Sequence, residues 1–307
     1  MVLAAGREAQ VNFTLTNQAS VKIRGKIAGI PPHGGVILSL LPRNAPRNGV
    51  LNRPATTQSD GAFEVRGVPP GAWLLSVDYW EANARLFARV PVDVGGADLE
   101  GVVVRLEPGF TLTGRIRVES ASGRSLNLQQ VNLNLHPTEG AVGALQWDKD
   151  HMGFTIHDVT PGVFSLSPGN LPAPFYLKSA MMGGRDLAHE ALPVASGTGP
   201  IDVAIADDGG AMQGRLEDAN GDPAAGWAFV LRDGRLAATV PAAPDGNFKV
   251  SSLPPGDYRV FGWDEIDLAE WADSDWMRRY GGSGVGVTVS AGQTADVKLV
   301  RVTIPRD

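Results

Sequence analysis

The sequence predicts an all-β protein: three tandem β-sandwich domains with an extra strand at the N-terminus. Three observations predict it. A motif recurs as Asp60-Gly-Ala-Phe63 leading to Val68-Pro-Pro-Gly71, as Met152-Gly-Phe154 leading to Val159-Thr-Pro-Gly162, and as Asp245-Gly-Asn-Phe248 leading to Leu253-Pro-Pro-Gly256. Its closing glycines lie 91 and 94 residues apart. A second motif precedes each copy: Gly25-Lys-Ile27, Gly114-Arg-Ile116 and Gly214-Arg-Leu216. Two markers recurring in one order at a near-constant interval define a repeat. Finally, apolar and polar residues alternate in Phe110-Thr-Leu112, Val131-Asn-Leu-Asn-Leu135 and Ile201-Asp-Val-Ala-Ile205, the period of a half-buried strand. The boundaries follow as 1–18 for the extra strand, then 19–108, 109–207 and 208–307.

Each element of the repeat has a physical reading. Asp-Gly before the Phe strand predicts a tight turn, with glycine taking positive φ. Phe63 and Val65, Phe154 and Ile156, and Phe248 and Val250 put one face of that strand in the core. Pro-Pro-Gly ends the strand, since proline offers no ladder donor and glycine permits reversal. The next strand opens on an aromatic residue, Trp73, Phe164 or Tyr258. A closing strand ends each copy: Leu99 to Leu106, Ile201 to Ile205 and Gln293 to Val300. The connections Glu107-Pro-Gly109 and Asp207-Asp-Gly-Gly210 are a few residues long, which predicts a nearly fixed relation between neighbours.

Residues 1–18 do not fit the count. Gly6-Arg-Glu-Ala-Gln-Val-Asn-Phe-Thr-Leu15 resembles the closing strand Gly292-Gln-Thr-Ala-Asp-Val-Lys-Leu-Val-Arg301, giving four closing strands for three opening ones. Two readings stand. The segment closes a domain upstream in a longer array, or Val11, Phe13 and Leu15 add to a sheet edge of another copy and build a filament.

Composition narrows the chemistry. The 307 residues hold 38 Gly and 22 Pro, largely the punctuation of the repeated turns. A formal net charge of −6 argues against a nucleic-acid partner, which calls for a basic face. No run reaches the ~18 apolar residues of a membrane span, and no signal-peptide pattern stands at the start. Zero Cys excludes disulfides, thiol nucleophiles and Cys-ligated metals. There is no phosphate loop, since Gly281-Gly-Ser-Gly-Val-Gly286 leads into a strand, and no Gly-x-Ser-x-Gly elbow. His189-Glu190 starts like a zinc-protease helix, but Pro193 stands where the second His belongs. The five His are scattered; only His151 and His157 have a spacing that places them on one strand face. The expectation is no catalytic residue, no metal and no cofactor.

One segment is dense in potential contacts. Gly262 to Tyr280 carries six acids, three Trp and one Tyr. Flat aromatics beside carboxylates suit sugar rings. Trp263, Trp271, Trp276 and Tyr280, with an outward Trp80 beside Asp78 and Glu81 in the first repeat, are therefore candidate residues for a carbohydrate. The alternative is a helix that covers the end of the third sandwich with its aromatics buried. The acids lack the alternate spacing of a calcium loop. Trp147 and Trp227 read as packing residues.

The motifs around Gly214 to Trp227, Asp245 to Phe248 and Leu253 to Val260, and again from Gly61 to Val77, resemble tandem carboxypeptidase-regulatory-like domains. These are transthyretin-like (Cna-B-like) Greek-key sandwiches of the Ig-like or prealbumin-like kind, common in bacterial secreted and surface proteins. The resemblance implies an extracellular or cell-surface location and a non-catalytic structural role as stalk, adhesin segment or filament subunit. Its alternatives are a carbohydrate-binding module binding polysaccharide, or an accessory fragment of a longer secreted enzyme or transporter. Its partners would be further copies or neighbouring domains. Nothing matches the zinc site of the peptidase that gives the family its name. Related stalk domains carry a Lys–Asn cross-link. Lys22 and Lys26 stand on a first strand, but Arg115 and Arg215 replace Lys26 in the other repeats and the first closing strand lacks Asn, which argues against the bond.

Overall fold

The computed structural model describes residues 20–29, 36–43, 53–81, 84–264 and 281–302, and among them the protein is all-β with no α-helix. The first stretch comprises β1 (Val21–Ala28), β2 (Ile37–Pro42), β3 (Arg53–Thr56), β4 (Ala62–Val68), β5 (Gly71–Glu81), β6 (Ala84–Val94), β7 (Leu99–Arg105) and β8 (Glu107–Pro108). The second comprises β9 (Phe110–Glu119), β10 (Leu133–Glu139), β11 (Leu145–Trp147), β12 (Gly153–Val159), β13 (Gly162–Pro168), β14 (Tyr176–Met182), β15 (Arg185–Asp186), β16 (Leu192–Val194) and β17 (Ile201–Ala206). The third comprises β18 (Gly210–Glu217), β19 (Gly226–Arg232), β20 (Arg235–Ala242), β21 (Asn247–Leu253), β22 (Gly256–Trp263), β23 (Val285–Val289) and β24 (Thr294–Val302).

Buried apolar residues form three separate clusters. The first holds Ile23, Leu38, Leu40, Phe63, Trp73 and Leu75, between sheets ordered β4-β1-β7 and β3-β2-β5-β6-β8. The second holds Leu112, Phe154, Ile156, Phe164 and Val203, between β10-β13-β16 and β11-β12-β9-β17-β14-β15. The third holds Met212, Phe248, Val250, Tyr258 and Leu299. There the two layers join into one sheet, because β24 pairs with both β18 and β22.

One arrangement repeats in all three. The opening strand lies between the Phe strand, antiparallel, and the closing strand, parallel: β1 between β4 and β7, β9 between β12 and β17, β18 between β21 and β24. Since opening and closing strands run the same way, the chain comes in at one end of each unit and leaves at the other. Tandem units can then follow one another in line.

The two sequence motifs meet in this sheet. Gly25 faces Phe63, Gly114 faces Phe154 and Gly214 faces Phe248 across the antiparallel pair. A Cβ at any of these glycines would lie within 2.7 Å of the partner's ring. Glycine is required because the ring packs against it, and at Gly25 and Gly214 the Val102 and Val297 carbonyls of the closing strand would stand closer still, at 2.0 and 2.2 Å.

Pro-Pro-Gly has an equally local cause. Gly71 and Gly256 stand at φ +153° and +149°, which disfavours any side chain. The reversal lets the following aromatic bond back: Trp73 Nε1–H donates to the Pro69 carbonyl at 3.0 Å, and the Tyr258 hydroxyl to the Pro254 carbonyl at 2.5 Å. Phe164 has no polar tip and makes no such bond.

The second repeat departs from the expected equivalence. Gly61 and Gly246 take the left-handed turn position at φ +85° and +79°, but its counterpart is His151 at φ +57°, not Gly153. Asp148 N–H donates to the Gly153 carbonyl as Gln58 does to Ala62 and Ala243 to Asn247, leaving Met152 as an extra residue. His151 therefore sits in the turn, stacked on Trp147 at 5.9 Å, and shares no strand face with His157.

Candidate functional site

The described residues converge at the joints between units and on the outer face of the opening strands. At the first joint, Glu107 and Pro108 are taken into the first unit's sheet, where they pair with Phe87 and Leu86. Gly109 N–H donates to the Arg85 carbonyl at 2.9 Å. Arg85 N–H in turn donates to Asp158 Oδ1 at 3.1 Å, and its guanidinium reaches the Val142 carbonyl at 3.4 Å, both in the second unit. Gly109 lies so close to the Asp158 backbone that a Cβ would stand 2.8 Å from it.

The second joint is denser. Asp207, 1% exposed, directly follows the closing strand of the second unit. Its carboxylate accepts from Ser120 Oγ at 2.6 Å, Ser122 Oγ at 2.5 Å, Ala121 N–H at 2.8 Å and Ser122 N–H at 3.2 Å. Asp208 faces both ways. Its carboxylate accepts from the Tyr176 hydroxyl at 3.0 Å in the second unit, and its carbonyl from Gly292 N–H at 2.9 Å in the third. Burial, and then the Asp208 bond, push the Tyr176 phenol well above its ordinary range. Gly209 and Gly210 pass against the Pro174 and Ser290 carbonyls with no room for a side chain.

The Ser120 hydroxyl, with Ser122 and two backbone N–H groups behind it, holds the Asp207 carboxyl well below the usual carboxylate range. A depressed carboxyl contributes stability that is present above its unfolded value and lost as pH falls through that value toward the folded one. Wild type should therefore lose stability in its second unit as pH drops below about 4. Asp207→Asn, unable to ionise, should start less stable at neutral pH and show a flatter acid limb. Urea unfolding across that pH range checks both; parallel acid limbs would deny Asp207 this role.

The outer face of each opening strand is tied to its closing strand. Arg24 bonds Glu64 and Glu100, both at 2.5 Å; Arg115 pairs with Asp202 at 2.8 Å. Gln213 Nε2 donates to Asp296 at 2.8 Å, and Lys298 pairs with Glu217 at 2.7 Å. The Arg24 hydrogen bond, with Arg66 behind it, lowers the Glu64 carboxyl to about 2. Apart from Glu217, which is buried, the members of these pairs are at least partly exposed, and such pairs stabilise weakly on their own.

The aromatic candidates divide. Trp80 is 51% exposed at the end of β5, with the Arg85 guanidinium 4.9 Å over its ring and the Asp78–Arg89 ion pair (2.7 Å) on the same face. Trp263 is corrected: it is 1% exposed, stacked on Phe261 at 4.9 Å and edge-on to Phe229 at 4.9 Å, so no sugar ring reaches it. Trp227, read as a packing residue, is instead 40% exposed. Trp147 packs edge-on against Phe154 at 5.6 Å. Trp271, Trp276 and Tyr280, and the strand candidates Val11, Phe13 and Leu15, lie outside the described residues. Among the described residues no three His, Asp or Glu side chains are placed to hold a metal ion, and no helix is long and apolar enough to cross a membrane.

No protein-family description matches the sequence, and no curated protein does. Solved structures are similar only faintly. A streptococcal ancillary pilin is 12% identical, with 90% of this chain and 98% of that one covered at a TM-score of 0.26. The full-length major pilin SpaD of Corynebacterium diphtheriae is 8% identical, with 95% and 100% covered at 0.25. A putative carbohydrate binding protein of Pseudomonas aeruginosa is 16% identical, with 29% and 90% covered at 0.23. Likeness this slight leaves function to be argued from the chain's own residues.

Proposed function

We propose that the chain is a non-catalytic structural protein of the bacterial surface, in which three β-sandwich domains form a stiff spacer within a stalk or filament. The observation that carries this reading is the wiring of both joints: Arg85 to Asp158 and Val142, and Asp207–Asp208 to residues on either side. A loose linker would expose its backbone to water, whereas these linkers are satisfied by their neighbours. Sequence repetition and the motif resemblance add the surface location. Small-angle scattering tests the shape. A compact globule of this length has a radius of gyration of about 19 Å, and an in-line rod should lie well above it. A value near the globular one would overturn the proposal.

Trp80 favours a second reading, polysaccharide binding on the β5–β6 face. Arg85 lies over its ring, and about half of the residue is exposed to solvent. Affinity electrophoresis against a polysaccharide panel should then show retardation that Trp80→Ala abolishes, with stability changed by less than about 0.5 kcal/mol. No retardation of wild type by any polysaccharide would end this reading.

A further inference from the structure

The parallel pairing of opening and closing strands has a mechanical meaning. Tension along the chain pulls the opening strand of a unit toward the preceding unit and its closing strand toward the following one. The two are neighbours and run the same way, so the force slides one along the other. In that direction every hydrogen bond of the ladder is strained together. Pulling the same two strands apart from one end breaks the bonds in turn, at lower force. Forced unfolding follows the unfolding rate, so it depends on the path as well as on equilibrium stability.

The joints deliver force to these pairs directly. Only three residues, Asp207 to Gly209, separate the end of β17 from the start of β18, and their bonds to both units leave little slack. The outer-face ties, Arg24–Glu100, Arg115–Asp202, Gln213–Asp296 and Glu217–Lys298, each span the same strand pair.

We propose that β1–β7, β9–β17 and β18–β24 are shear clamps that let the protein resist stretching, graded so that the first unit yields first and the third last. The grading follows from the ladders. The β18–β24 register runs unbroken from Ala211↔Thr294 to Glu217↔Val300, with two side-chain ties across it. The β9–β17 register runs unbroken from Ile201↔Gly114 to Ala206↔Glu119, with one tie. The β1–β7 register slips between Ile23 and Gly25, where Gly101 bulges at φ +70°. Support on the far side differs too. β17 and β24 pair onward with β14 and β22, whereas among the described residues β7 pairs with β1 alone.

This goes beyond the spacer reading, and its test is separate: scattering reports shape, force reports the clamps. The protein has no cysteine, so one thiol added at each chain end gives unambiguous anchors for single-molecule stretching. Three steps should appear, each releasing roughly 90 residues and so about 300 Å of chain. An insertion of about 20 Gly/Ser residues at the exposed Asp233–Gly234 turn marks the third unit by adding about 70 Å to its step. The marked step should come last. Moving the rear anchor to the exposed Ala291 (Ala291→Cys) takes β24 out of the loaded path, and the marked step should then come first, at several-fold lower force. The same insertion at Gly183–Gly184 marks the second unit, and in the end-anchored chain its step should come between the others. Should the Gly234 insertion prevent folding, the unmarked chain with the two anchor positions still compares highest-force steps. A third-unit force that does not change with anchor position would overturn the proposal, and so would a marked step that comes first from the chain ends.

Discussion

Phe154→Ala should destabilise the second unit by about 3–5 kcal/mol, the cost of truncating a fully buried phenylalanine in a packed core. The residue is 2% exposed; its ring packs against Gly114 on the neighbouring strand and meets Trp147 in a T-shaped pair. Removing the ring leaves a cavity and uncovers a glycine whose backbone depended on it. Against unit stabilities of about 5–15 kcal/mol, that loss approaches local unfolding. The reciprocal change, Gly114→Ala, drives a Cβ into the same ring and should cost about 1–3 kcal/mol. The two should not add. Once Phe154 is gone, the three nearest atoms that a Cβ at Gly114 would meet go with it, so the double variant should lose less than the two single losses summed. Hydrogen exchange of the β9 and β12 amides isolates this unit from the other two. Additive losses would mean that the ring and the glycine do not form one packing unit.

That pair shows why much of the fold is legible in sequence. Gly-x-Ile and Asp-Gly-x-Phe are separated by tens of residues, yet they recur together because they touch. The Pro-Pro-Gly turn is legible for a different reason: its glycine geometry and the aromatic bond to the proline carbonyl are local. Strand parity was readable too, since Trp80 and Tyr79 point to opposite faces as the alternation requires, with Tyr79 packed on the first core. Parity does not say what covers a face. Tyr258 and Val260 point into the third core, so Phe261 and Trp263 point away from it, toward what the pattern reads as solvent; both are buried nonetheless.

The joints were illegible for a related cause. Asp207 is held by Ser120 and Ser122, more than eighty residues earlier, and an acid in a Gly-rich linker looks like any solvated turn. Only the parallel arrangement of β9 and β17 brings these residues to one end of the sheet. The His151 turn is illegible because a left-handed histidine with one extra residue leaves no Asp-Gly signature, although His151 N–H closes on the Asp148 carbonyl as Gly61 does on Gln58 and Gly246 on Ala243.

Trp263→Ala should cost the third unit about 3–5 kcal/mol, the range for emptying a buried tryptophan site. The indole stacks on Phe261 at an interplanar angle of 9° and meets Phe229 at 64°, two aromatic geometries that contribute beyond area alone. All three rings lie on the sheet face opposite the third core, so the loss is confined to that second apolar layer. Trp263→Phe keeps a stacking ring and should recover most of the stability, leaving about 1–2 kcal/mol for the smaller volume. Trp227 supplies the control. It stands opposite Trp263 in the β19–β22 register but is 40% exposed, and its alanine variant should cost well under half as much. Chemical denaturation with exchange readout on β19 and β22 separates the cases. Equal costs at 227 and 263 would mean that burial does not set the role of these residues. A Trp263→Ala protein of unchanged stability would reopen that ring as a surface for a ligand.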